Sequence, residues 1–276
     1  MSGGGVDPDS LRYARYWEPV LAGPAHRALA RITTTPATFL DLGAGTGSLT
    51  LAAADRWPEA LVVAVDAAAG MLSVARQRAA DAGHDLDRFR WLPTDAADVL
   101  LPDATVDAVA SSFMLQLPDD RPAVLAEVRR VLRPGGVCAF VTWLADELEL
   151  PADDIFLDAL DALGIEDEVD ESAVRGSPPR DYRSPDQAAA ELAAAGFRDI
   201  DVSREKLRYT WTAATYLAYK EHFDERELFD SLDPAMRARL RSELHRRLAP
   251  LPAADLELRG SVVSAVAQRP VADGAA

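Results

Sequence analysis

Asp41 stands two residues ahead of Gly43, and glycines recur at 45 and 47, so residues 41–47 read Asp-Leu-Gly-Ala-Gly-Thr-Gly. Glycines adopt backbone angles closed to other residues, and without a Cβ they let a ligand touch the main chain. The apolar run before them, from Thr38, has strand character, and the stretch after them, Leu49 to Trp57, has an amphipathic helical pattern. A helix that begins at such a turn points free N–H groups at the ligand. A dinucleotide turn needs Gly or Ala at its third site, but Ser48 or Thr50 stands there, depending on the first glycine counted. A phosphate-cradling loop needs an adjacent lysine, and the only lysines are at 206 and 220. The Asp41 carboxylate would also repel a pyrophosphate.

Further acids follow at regular places. Leu61–Val65 is a second apolar run, and Asp66 ends it 19 residues after Gly47. An acid at that strand end is placed to accept hydrogen bonds from both hydroxyls of a ribose. A third run, Phe89 to Leu92, leads into Thr94-Asp95-Ala96; a fourth, Val106 to Gln116, passes through Ser111; and Val131 leads into Arg133-Pro134-Gly135-Gly136, expected as a turn before a fifth strand from Val137 to Trp143. None of the four histidines (26, 84, 222 and 245) has metal-ligand spacing with Cys or Asp, so no metal is expected. A Ser-His-Asp site has no G-x-S-x-G to stand on.

These five motifs, in this order over residues 38 to 143, resemble the class I S-adenosylmethionine (SAM)-dependent methyltransferases, in particular the small-molecule enzymes of the ubiquinone and menaquinone type. The resemblance implies a ligand carrying an ammonium and a sulfonium, which the Asp41 carboxylate suits. It implies a SAM site formed by Asp41, Gly43, Ala44, Gly45, Gly47, Asp66, Ala67, Met71, Asp95, Ala96 and Ser111, with Met71 on the adenine and Asp95 on its amino group. Thr94 stands where many relatives have glycine. Gln116 occupies a position where relatives carry histidine; it cannot act as a base at neutral pH and would orient SAM or substrate. Trp143 is either a wall of the substrate pocket or a core cap, and His222 a base or substrate contact in the presumed cover. Tyr13, Tyr16 and Trp17 lie in a segment that closes over SAM in many relatives. Tyr13 reads equally as lid or as packing, and Trp17 as packing. The implied activity is methyl transfer to a small organic acceptor (EC 2.1.1.-), with S-adenosylhomocysteine (SAH) as product. The alternative is a protein that keeps SAM or SAH without methylating, as a cyclase or regulator would.

The elements that must position these residues alternate strands with helices of 10 to 15 residues, which implies an α/β fold with a parallel sheet covered on both faces. The resemblance makes it a doubly wound, Rossmann-like sheet of seven strands in the order 3-2-1-4-5-7-6, the last strand antiparallel. Residues 1–36 form an N-terminal helical lid divided at Pro24, and 37–143 the core. Residues 144–184 are an acidic helical insert, 185–206 a helix and strand six, which begins at Ile200 to Val202, 207–256 a helical insert with two helices over 212–249, and 257–276 the last strand and tail. Ser184-Pro185-Asp186 caps the helix before strand six, and Ser261 to Gln268 is the last strand.

Composition narrows the partners. The 276 residues carry a net charge of −16, with 29 Lys and Arg against 45 Asp and Glu. That balance argues against nucleic acid. Residues 145–174 hold twelve acids and no base; the amphipathic stripe Ile155, Phe156, Leu160 and Leu163 is expected to cover the substrate entrance, with the acids disfavouring anionic acceptors. No apolar run approaches the roughly 20 residues that span a bilayer. The first ten residues lack a basic region and an apolar stretch, and the single Cys138 cannot form an internal disulfide, so a cytoplasmic monomer or homodimer is expected.

Overall fold

The computed structural model describes residues 7–146, 148–165 and 180–271. Its seven strands are β1 (Thr38–Leu42), β2 (Leu61–Val65), β3 (Phe89–Leu92), β4 (Val106–Ser112), β5 (Leu132–Trp143), β6 (Arg198–Thr210) and β7 (Glu257–Gln268). They form one sheet in the order 3-2-1-4-5-7-6. β1 pairs in parallel with β2 and β4, while β7 runs antiparallel between β5 and β6, as expected. The strand order reverses between β1 and β4, which opens a crevice at their carboxyl ends. Asp107 anchors the other end of this pair, its carboxylate accepting from the backbone N–H groups of Ala37 (3.0 Å) and Thr38 (2.8 Å).

Helices cover both faces. On one lie α1 (Pro8–Tyr16), α2 (Glu18–Ala30) and α3 (Ser48–Arg56), packed around Phe39, Ala108 and Ala110. On the other, α5 (Arg121–Val131) and α7 (Pro185–Ala194) pack on Leu40, Val109 and Phe140. Between them in sequence fall α4 (Ala69–Asp81) and α6 (Pro151–Leu163). Ser184 caps α7 by accepting from the Gln187 N–H (3.2 Å), and Asp120 caps α5 through the Ala123 N–H (3.0 Å).

Four sequence expectations are corrected. The break in the N-terminal helices falls at Trp17, not Pro24, which sits inside α2. Pro19 is the cause: it has no N–H to donate to the Arg15 carbonyl, and Val20 turns back to the Trp17 carbonyl (2.9 Å). β5 starts at Leu132, so the Arg-Pro-Gly-Gly turn lies within the strand, with a register shift between Val106 and Ala108. β6, expected to begin at Ile200 to Val202 and end by 206, runs from Arg198 to Thr210; on this largely exposed edge strand the charged stretch between Val202 and Leu207 hides its continuation. The first of the two helices expected over 212–249 is split into α8 (Ala213–Tyr219), a π-helical turn (Lys220–Asp224) and α9 (Arg226–Ser231), before α10 (Pro234–Leu248).

That π turn is built around a buried ammonium. Lys220 is 2% exposed, and its Nζ lies 2.5 Å from Asp224, 3.0 Å from Asp153 and 3.6 Å from Glu225. Burial alone would lower its pKa, but the Asp224 and Asp153 carboxylates outweigh it and raise the pKa instead. Tyr216 and Tyr219 donate their hydroxyls to Asp153 (2.7 Å) and Asp224 (2.9 Å). Asp153 begins α6, so this cluster ties the acidic helix to the 207–256 insert. The apolar stripe of α6 follows suit: Phe156 meets Phe229 at 6.4 Å between ring centroids. Its partner is therefore the second insert, not the substrate entrance directly. Residues 166–171, which carry five of the twelve acids, lie outside the described residues.

Removing the ammonium takes the counter-charge from Asp153 and Asp224, which are only partly solvated. Lys220→Met is expected to destabilise the protein by about 2–4 kcal/mol in urea unfolding, whereas Lys206→Met on the edge strand stays within about 0.5 kcal/mol.

Candidate active site

The glycine turn joins β1 to α3 at the crevice. Its backbone hangs on the end of β2: the N–H groups of Gly43 and Ala44 both donate to the Val65 carbonyl (2.8 Å each). Gly45 N–H donates to Asp66 Oδ2 (2.8 Å), while the Ala68 N–H holds Oδ1 (2.9 Å). The three glycines have φ of +77°, +52° and +92°. Neighbours close off two of them: a Cβ on Gly43 would sit 2.4 Å from the Met114 side chain, and one on Gly47 would sit 2.8 Å from Ala75 Cβ. A Cβ on Gly45 would meet nothing within 4 Å. The protein packs against the outer glycines and leaves the middle one facing open space.

Asp41 lies beneath this turn, 1% exposed. Its Oδ2 accepts from the Thr50 hydroxyl (2.6 Å), and its Oδ1 has no hydrogen-bond partner. Burial lifts its pKa from 3.8 to about 7; the Thr50 hydrogen bond opposes the rise, and the charges of Asp66 and Glu18 add to it. A buried carboxylate oxygen without a donor is costly unless a ligand supplies one. Ser111 Oγ, at the end of β4, is likewise buried without a partner. The remaining sequence-predicted residues follow along the same strand ends. Ala67 and Met71 flank the start of α4, and the exposed Asp95 accepts from the Ala97 N–H (2.7 Å), next to the half-buried Ala96.

A cluster that the sequence did not single out locks the turn from above. Glu18 accepts from the Thr46 hydroxyl and from Arg78 (2.7 Å), and Arg78 also donates to the Thr46 carbonyl (2.7 Å). Tyr13 lies near the same group: burial, then the charges of Glu18 and Asp66, push its phenol up to about 12. The edge of the site thus holds three carboxylates, Asp41, Asp66 and Glu18, against the single guanidinium of Arg78. No sequence signal marks Glu18 or Arg78, because each is an ordinary charged residue on a helix.

Of the candidate catalytic residues, Gln116 and Trp143 both adjoin Phe113, and His222 lines a groove beside α1. Gln116 is buried and spent, donating from Nε2 to the Phe113 carbonyl (2.7 Å) and accepting from the Thr142 hydroxyl. Phe113 has φ of +51°, a conformation that costs a phenylalanine about 1 kcal/mol or more. Gln116 and the Val141 carbonyl, which accepts from the Phe113 N–H at 2.8 Å, hold it there. The Phe113 ring lies 4.9 Å from that of Trp143, at the end of β5. His222 is exposed, its ring 5.8 Å from Tyr16, in an open groove between α1 and the π turn that Arg12, Arg15 and Arg237 also line. Trp17 stacks on Tyr219 (5.8 Å) and Phe223 (6.4 Å), the packing role expected of it. Among the described residues no group of His, Cys, Asp and Glu is arranged to hold a metal ion, and no helix is long and apolar enough to cross a membrane.

Known proteins resemble the same region. Residues 39–136 match a family described as a methyltransferase domain. The malonyl-[acyl-carrier protein] O-methyltransferase of Geobacter sulfurreducens is 36% identical over 173 residues, 62% of this chain and 59% of that protein. The trans-aconitate 2-methyltransferase of an Azoarcus species is 39% identical over 116 residues, 42% of this chain and 43% of that protein. The chain thus spans less than two thirds of the length of either relative. Among solved structures, the Haemonchus contortus phosphoethanolamine N-methyltransferase 2 in complex with S-adenosyl-L-methionine superposes with a TM-score of 0.56 at 19% identity, covering 96% of this chain and 57% of that one; this likeness concerns the fold. Motifs, strand order and relatives agree: residues 39–136 match a methyltransferase domain, and the core around them resembles the class I S-adenosylmethionine-dependent enzymes.

Proposed function

We propose that this protein binds SAM at the β1–β4 crevice and methylates a small organic acceptor whose nucleophile arrives already deprotonated, a carboxylate being the simplest case. The observation that carries the cofactor assignment is the pairing of a partnerless buried Asp41 oxygen with the open space above Gly45. Asp66, fixed by two backbone N–H groups, keeps lone pairs for the ribose hydroxyls, and Asp95 and Met71 serve the adenine. When bound, SAM supplies an electrophilic methyl group on a sulfonium. The protein's share is then to orient the acceptor and exclude water.

The acceptor class follows from the strand ends. Gln116, Phe113 and Trp143 do not ionise near neutrality, and Gln116 is committed to holding Phe113. A phenol or an ammonium acceptor needs a base to lose its proton; a carboxylate does not. The two relatives are named for acceptors that are carboxylic acids. The acidic insert opposes this less than its composition suggests, since Asp146 pairs with Arg204 and Asp153 with Lys220. The direct test is SAH release from a panel of carboxylic acids, phenols and amines. Turnover confined to carboxylic acids supports the reading; phenol turnover that rises with pH overturns the acceptor class, and SAM binding with no turnover of any class favours a non-methylating role.

Calorimetry should find SAM and SAH binding at micromolar strength and no heat from NAD. Asp66→Ala loses the ribose contacts and the anchor of Gly45, weakening SAM by about 2–4 kcal/mol. Gly45→Val is expected to abolish binding; φ of +52° makes it somewhat destabilising, so its melt is recorded beside the titration.

Asp41 gives a pH signature. Its folded pKa of about 7 lies above the ordinary 3.8, so between those values the folded protein keeps a proton that the unfolded chain has lost. Its stabilising contribution is therefore complete below about pH 4 and is lost as pH rises through 7. The ligand-free Asp41→Asn variant should gain on the parent in melting temperature from pH 5 to 8. In the parent, SAM affinity should rise from pH 6 to 7.5 as Asp41 ionises; a flat profile in Asp41→Asn identifies the group.

A further inference from the structure

Glu18 occupies the joint of the N-terminal lid, directly after the Trp17 break and at the first position of α2. It is nearly buried, and its carboxylate does not pair within its own helix. It reaches the glycine turn through the Thr46 hydroxyl and α4 through Arg78 (2.7 Å). Thr46 lies between Gly45, the open glycine, and Gly47, the glycine that starts α3. Arg78 closes the triangle on the Thr46 carbonyl (2.7 Å). The tip of the turn is thus fixed by a residue that belongs to the lid.

The lid is in turn fastened to the cofactor side. At the start of α1, Asp7 accepts from the Ser10 hydroxyl (2.7 Å), and both residues press on Gly70 in the first turn of α4, where an added Cβ would meet Asp7 Cβ at 2.9 Å. Tyr13 lies 6.4 Å from Phe223 of the cover, and its phenol feels both Glu18 and Asp66. A shift of the glycine turn on ligand binding cannot leave Glu18 where it is, and a shift of Glu18 moves the α1–α2 joint.

We propose that Glu18 is a positioning residue that couples occupancy of the SAM site to closure of α1 over it. The proposal rests on the cofactor assignment above and goes beyond it by naming the mechanical link. Arg78 keeps the Glu18 carboxylate aimed at Thr46, since a guanidinium presents donors in a fixed fork. The turn, the α1–α2 joint and α4 stand in one hydrogen-bonded cluster, and α1 packs beside it on Gly70. When Glu18 is removed, the turn still binds ligand but no longer orders the lid.

Hydrogen exchange on the full chain, with SAH as the probe, tests this. In the parent, saturating SAH should slow exchange of the amides in residues 8–16 by about tenfold or more, together with those of residues 41–47. In Glu18→Ala, SAH should bind roughly tenfold more weakly, and at saturation should protect residues 41–47 but no longer residues 8–16. Glu18→Gln, which keeps an acceptor for the Thr46 hydroxyl and loses the ion pair, should recover part of the α1 protection. Arg78→Met should lose it as Glu18→Ala does, which guards against a folding defect peculiar to one variant. Full SAH-dependent protection of residues 8–16 in Glu18→Ala, or α1 exchange in the parent that ignores SAH, overturns the proposal. A parent that does not bind SAH overturns the cofactor assignment itself.

Discussion

The structure turns on a carboxylate buried at the one place where the sheet changes direction. Asp41 sits on a central strand, with one oxygen satisfied by Thr50 and the other by nothing. Such a group is costly in the free protein when ionised, which marks Asp41 as a place for a ligand's donor. Around it the acids Asp66 and Glu18 are each held by donors, so the crevice has a negative potential fixed before any ligand arrives. A ligand with cationic groups completes the Asp41 environment, whereas a pyrophosphate meets repulsion.

The rest of the chain holds that crevice and packs around it. The parallel strands β2, β1 and β4 bring Asp66, the glycine turn and Ser111 to one edge, and β7 between β5 and β6 closes the sheet away from it. Two distant stretches of sequence pack on each other beside it. The 151–163 helix and the 213–248 insert meet through Lys220, whose three carboxylate neighbours make the contact specific in geometry, not merely apolar. The α1–α2 joint touches both: Trp17 stacks on the insert, and Glu18, the next residue, grips the glycine turn.

How far this could be read from the sequence depended on how local the signal was. β2 and β3 were expected over the residues where they stand, because short apolar runs bounded by turn residues leave few alternatives. The glycine turn and Asp66 were legible because their chemistry restricts the residue types that can stand there. The misreadings came where long-range packing decides. Pro24 looked like the break, yet Pro19 makes it, and only the return of Val20 to Trp17 reveals why. β6 was mostly hidden because an edge strand paired on one side needs no apolar face. Lys220 read as one polar residue in a helix, and its burial depends on Asp153, 67 residues earlier. Glu18 and Arg78 stand 60 residues apart, and nothing in either neighbourhood announces the other. Gln116 was placed correctly at the end of β4, but that its side chain is spent on Phe113 and Thr142 emerges only from the fold.

A crystal structure of the chain grown with SAH tests the central claim most directly. The expected result is SAH along the carboxyl ends of β1 and β2, its ribose hydroxyls on the Asp66 carboxylate, its backbone contact at Gly45, and its amino group answering the unpaired Asp41 oxygen. Its sulfur should face a space bounded by Phe113 and Trp143, whose shape then describes the acceptor. SAH bound elsewhere, or an Asp41 oxygen still without a donor once SAH is in place, would contradict the claim that this buried charge is kept for the cofactor.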